Sequence, residues 1–129
     1  MVRKRRTKTV VVVEDEADVR KFACRVLDLE GYTVLEAADG DVAMALVTEH
    51  QPALVLLDLR LPGRDGWSVL QEIKSKPELS PIAVIVFSAS AGAPHRRKAL
   101  NMGAVEYLVK PLSAAVLREA VARVLRPGM

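Results

Sequence analysis

Thr9–Val13 (TVVVV), Ala53–Leu57 (ALVLL) and Ile82–Phe87 (IAVIVF) are short runs almost without polar residues. A half-exposed strand alternates apolar and polar side chains, whereas a strand covered on both faces does not. Runs so short and so continuously apolar, the first of them β-branched throughout, predict buried strands of a parallel sheet. Between them lie segments with helical spacing. Ala17–Glu30 places Val19, Phe22, Ala23, Val26 and Leu27 on one face, and Gly31 ends it. Asp41–Glu49 carries Val42, Leu46 and Val47 and is stopped by Pro52. Trp67–Ser75 follows the turn Pro62–Gly66 and turns Leu70 and Ile73 inward. A fourth helix starts at Pro94, a favoured first helical position, and stops at Gly103. Ser113 is placed to cap Ala114–Leu125, with Leu117, Val121 and Val124 inward. Thr33–Ala37 and Val105–Val109 read as two shorter strands.

The pattern is (βα) repeated five times. Apolar strands alternating with amphipathic helices imply an α/β chain, a parallel sheet with helices on both faces. So few strands cannot close an eight-stranded barrel. An open, doubly wound five-stranded sheet of order 2-1-3-4-5 remains.

A chain of 129 residues predicts one domain. With five aromatic residues its core must be aliphatic. No apolar run approaches the eighteen or so residues of a membrane helix. The single cysteine, Cys24, rules out an intramolecular disulfide and a cysteine-clustered zinc site. It is expected as a small buried residue of the first helix. His50 and His95 lack metal-ligand spacing. These features lead to an expectation of a cytoplasmic protein. The 19 basic and 16 acidic residues give a net charge of +3. Arg3, Lys4, Arg5, Arg6 and Lys8 carry that excess; without them 14 basic face 16 acidic residues, a balance of −2. Residues 1–8 therefore read as a basic, disordered tail rather than a nucleic-acid site. Residues 9–126 read as the folded domain, with no output domain, and the Pro127–Met129 ending suits a complete protein.

Ligands of an open α/β sheet bind beyond the carboxyl ends of its strands, at the point where strand order reverses. The strand ends here are Glu14-Asp15-Glu16, Glu36-Ala37, Asp58, Ser88 and Lys110-Pro111. With strands 1 and 3 adjacent, Glu14, Asp15 and Asp58 converge. Clustered carboxylates need a cation or raised pKa values. An all-oxygen set suits a hard divalent ion, Mg2+ before zinc. Ser88 supplies a hydroxyl and Lys110 a movable charge for an anion. Together these groups describe phosphoryl chemistry, with Asp58 as nucleophile and Asp15 as direct metal ligand.

At these residues the sequence resembles a known family. VVVVEDE, LVLLDLRLPGRDG, VIVFSAS and YLVKP are similar to the receiver domain of bacterial two-component response regulators. The resemblance runs from about Thr9 to Leu125. It implies a flavodoxin-like (βα)5 fold and a phosphorylation-controlled switch that is not a turnover enzyme. By resemblance Asp58 accepts a phosphoryl group from a histidine kinase or a histidine phosphotransfer protein. Asp15 holds Mg2+ directly, Glu14 through water, and the backbone carbonyl of Arg60 is a further ligand. Ser88 and Lys110 are the switch hydroxyl and lysine. Tyr107 is the aromatic that turns inward on activation. Ala89 is the small residue beside the phosphate, and Pro111 follows a peptide bond that is usually cis. The fourth helix, fifth strand and fifth helix form the face for an effector protein or a homodimer partner. Arg96, Arg97 and Lys98 on it read as a solvated helix face, with an acidic partner as the other reading. The Arg60 side chain either touches the phosphate or is an exposed loop arginine.

Two other classes compete. Phosphatases of the haloacid dehalogenase type also use a strand-end aspartate, but they need an acid two residues later, where Arg60 stands. A flavin-binding module of this fold would place a phosphate against Glu14-Asp15-Glu16, which would repel it.

Overall fold

The computed structural model describes residues 8–126. The tail expected at residues 1–8 thus lies, but for Lys8, outside the described residues, as do residues 127–129. Among the described residues the elements alternate strictly. They are β1 (Thr9–Val13), α1 (Ala17–Leu29), β2 (Thr33–Ala37), α2 (Gly40–His50) and β3 (Leu54–Asp58), then α3 (Gly66–Ser75), β4 (Ala83–Ser88), α4 (Ala93–Asn101), β5 (Glu106–Val109) and α5 (Ala114–Leu125). The five strands form one parallel sheet in the order β2-β1-β3-β4-β5. No helix of the described residues is long and apolar enough to cross a membrane.

Strand side chains point alternately to opposite faces, so each buried run feeds two cores. Val11, Val13, Val55, Leu57, Val84 and Val86 pack with α2, α3 and α4 on one face. Val10, Val12, Leu54, Leu56, Ile85 and Phe87 pack with α1 and α5 on the other. The outer strand β2 is only partly covered, which explains its more mixed sequence.

Helix ends follow local chemistry. Asp39, Asp65 and Ser113 accept hydrogen bonds from Val42, Ser68 and Val116 N–H, capping α2, α3 and α5. Gly31 adopts a φ of +95°, which lets α1 turn into β2. Gly66 opens α3 with no room to spare: a Cβ there would lie 2.3 Å from the Asp58 carbonyl oxygen.

Two helix faces differ from the expected ones. α2 buries Ala43, Met44 and Val47, while Val42 is 43% exposed. Gly40 lies against the Arg64 backbone, where a Cβ would be 2.7 Å from its carbonyl oxygen. The helix approaches closely at Gly40 and Ala43, buries Met44 and Val47 on the same side, and leaves Val42 outward. In α1, Ala23, Val26 and Leu27 are buried, but Phe22 is 41% exposed. Cys24 is half-buried, and burial first, then Glu36, pushes its thiol pKa up to about 11, far from a reactive thiolate.

Candidate functional site

The carboxyl ends of β1, β3, β4 and β5 meet at one cleft. Asp58 is the last residue of β3 and is paired with Phe87 of β4, so the sheet itself holds its backbone. Its side chain is almost fully buried. Oδ1 accepts the Arg60 N–H at 3.2 Å, and Oδ2 accepts from Lys110 Nζ at 3.2 Å. Lys110 follows β5 directly and donates its backbone N–H to the Ser88 carbonyl. The Lys110–Pro111 peptide bond is cis, as expected.

Glu14 is completely buried. Its Oε1 accepts from Lys110 Nζ at 2.6 Å and its Oε2 from the Glu16 N–H at 3.0 Å. Burial raises its pKa more than these bonds lower it. Burial also pulls the Lys110 pKa down, but its bonds to Glu14 and Asp58 outweigh that and leave it raised. Lys110 is thus held as a cation between two acids. Asp15, next along, is exposed, and its carboxylate has no hydrogen bond or ion pair among the described residues. Ligating oxygens of Glu14, Asp15 and Asp58 lie within 4.8 Å of one another. Three acids with one exposed, uncommitted carboxylate fit a hard divalent cation.

The cleft has a volume of about 680 Å³. Asp15, Asp58, Arg60, Ser88, Ala89 and Lys110 line it together with Trp67, Ser90 and His95. Glu14 lies beneath the floor. Arg60 is exposed and reaches the cleft from the β3–α3 loop. Ser88 ends β4 and is buried, its Oγ accepting the Ser90 N–H at 3.1 Å. Tyr107 is buried, with its hydroxyl donating to the Ser90 carbonyl at 2.7 Å. Pro111 borders a second, largely apolar cavity of about 540 Å³ between α1 and the β5–α5 loop.

Three contributors were missed by sequence reasoning. Arg20 of α1 donates to the Glu14 carbonyl at 2.8 Å and pairs with Glu36 at 2.9 Å, which holds the β1–α1 turn in place. Ser90 was legible only as part of VIVFSAS. His95 gave no signal, because nothing along the chain shows that Ser90 and, from the start of α3, Trp67 come to its ring. Of Arg96, Arg97 and Lys98, Arg96 donates to the Tyr107 carbonyl and Lys98 lies over Trp67.

Residues 10–122 match the family model described as the response regulator receiver domain. The phosphate regulon transcriptional regulatory protein PhoB of Escherichia coli K12 is 36% identical over 115 residues, covering 89% of this chain and 49% of PhoB. The chain spans about half the length of the curated relatives it matches. A receiver domain protein (CheY-like) from Methanospirillum hungatei superposes with a TM-score of 0.84 at 26% identity, covering 92% of this chain and 93% of that one. The Mn(2+)-bound form of response regulator Rcp1 gives 0.82 at 27% identity, covering 95% and 97%.

Proposed function

Because the chain belongs to the response regulator receiver family of two-component systems, we propose that residues 9–126 are a switch unit controlled by phosphorylation of Asp58. The observation that carries this reading is a nucleophile fixed in the sheet, with a lysine cation 3.2 Å away and an uncommitted acid beside it. An Asp58 carboxylate oxygen attacks the phosphorus of a phosphohistidine on a histidine kinase or histidine phosphotransfer protein. The phosphorus–nitrogen bond breaks, and the histidine, already protonated on its other ring nitrogen, leaves as neutral imidazole. Lys110 and the Ser88 hydroxyl hold the equatorial oxygens. Asp15 would hold Mg2+ directly and Glu14 through water, with the Arg60 carbonyl as a further ligand. The ion supplies charge neutralisation between phosphoryl oxygens and the acids. The Mn(2+)-bound form of Rcp1 supports a divalent ion of this kind.

The product is an acyl phosphate, and the chain acts as phosphoacceptor rather than turnover enzyme. Ser88 and Tyr107 carry the change to the face formed by α4, β5 and α5. Exposed Leu100, Val105, Val109 and Val116 on these elements and their flanks suit an effector protein or a second copy. The transcriptional role in PhoB's name belongs to that whole protein. The test is incubation with acetyl phosphate and magnesium, followed by intact-mass measurement. One phosphoryl group is expected on the wild-type chain and none on Asp58→Asn; equal uptake by both would sink the assignment.

A further inference from the structure

Ser90 commits each of its polar groups to a different part of the molecule. Its N–H donates to Ser88 Oγ at 3.1 Å, and its carbonyl accepts from the Tyr107 hydroxyl at 2.7 Å. Its Oγ is hydrogen-bonded to His95 Nδ1, on the first turn of α4, at 2.6 Å. The His95 ring also lies 6.1 Å from that of Trp67 at the start of α3, centroid to centroid. All but Tyr107 line the cleft that holds Asp58.

A serine hydroxyl has one proton to donate and two acceptor positions. The Ser90 N–H takes one acceptor position on Ser88 Oγ and so restricts where the Ser88 proton can point. That N–H is only as steady as the segment that carries it. Ala89, Ala91 and Gly92 around Ser90 are exposed and small, with little to hold them. Tyr107 anchors Ser90 from the sheet side, and His95 anchors it from the helix side.

We propose that His95 is a positioning residue for the phosphoryl site, acting through Ser90 to keep the Ser88 hydroxyl aimed into the cleft. The proposal rests on Asp58 being the acceptor, as argued above. A donor held in place before the reaction needs no reorganisation when charge arrives. Loss of His95 therefore matters only when a group in the cleft takes the Ser88 proton. The acid cluster for the cation keeps its bonds, since neither His95 nor Ser90 is hydrogen-bonded to Glu14, Asp15 or Asp58.

Calorimetry on the full chain separates the two steps. Magnesium chloride alone reports the cation, and beryllofluoride with magnesium reports a phosphoryl-like group at Asp58. His95→Ala should bind magnesium like wild type but beryllofluoride about fivefold more weakly, the worth of one hydrogen bond. His95→Asn can place a side-chain oxygen near the position of Nδ1 and should recover most of the loss. Adding Ser90→Ala to His95→Ala should cost nothing further, because both cut the same link. The proposal is overturned if His95→Ala matches wild type, if both ligands weaken together, or if Asn fails to rescue. Wild type that binds beryllofluoride while His95→Ala does so equally well refutes only the role of His95. Wild type that takes neither beryllofluoride nor a phosphoryl group at Asp58 refutes the acceptor role and the inference together.

Discussion

Lys110 shows how one side chain can hold a site together. It is the cation paired with Glu14, which has no exposed surface. Removing one partner of a buried pair strands the other's charge, which costs about 3–5 kcal/mol. Lys110→Met should therefore lower the unfolding free energy by that order when measured by urea denaturation in EDTA at neutral pH. Glu14→Gln in the same chain should restore part of it, because only the Asp58 carboxylate then remains without its cation. These two residues were legible in the sequence because strand ends in this fold point to a single place. Gly66 was legible only as part of a turn. Its real constraint, the Asp58 backbone 2.3 Å from where a Cβ would sit, is a tertiary contact between a helix start and a strand end. His95 belongs to the same class: pattern and spacing describe neighbours along the chain, not across a loop.

At the scale of the element, α3 carries its own charge network. Glu72 accepts from Lys76, one turn on, at 2.5 Å, and from Arg64 before the helix. These bonds, that from Lys76 first, hold its pKa below the ordinary 4.5. A depressed carboxylate pKa contributes stability above the ordinary value and loses it as pH falls through the folded one. Glu72→Gln should cost about 0.5–1 kcal/mol at neutral pH, since the partners are partly solvated. Thermal melts of both chains should converge as the pH is lowered below 4.5. Strand positions were easier to read than helix faces. In β1 and β3 every apolar residue is buried on one face or the other, whereas α2 offered Val42, Leu46 and Val47 as inward residues. Val47 is buried and Leu46 packs on the core, but Val42 is exposed and Ala43 and Met44 are buried. Large side chains mark apolar stripes in a sequence, but close packing selects small ones where backbones approach.

For the whole molecule, the strand order β2-β1-β3-β4-β5 agreed with the expectation because parallel strands with crossover helices leave few arrangements. Any ligand that binds only the folded chain stabilises it, by about 2.7 kcal/mol at a hundredfold excess over Kd. Magnesium should therefore raise Tm by several degrees. Asp15→Asn should lose most of that rise, because it removes the uncommitted carboxylate of the cluster. Differential scanning fluorimetry with and without magnesium reads both. The pairing of Asp58 with Phe87 in the sheet has one more implication. Asp58, the proposed acceptor, is fixed by the sheet, while Arg60, Ala89 and Ser90 beside it sit on separate connecting loops. Grafting residues 59–65 or 89–92 from a relative would exchange one of these loops. If Asp58 is the acceptor, such grafts should change phosphoryl lifetime and leave the strand that carries it in place.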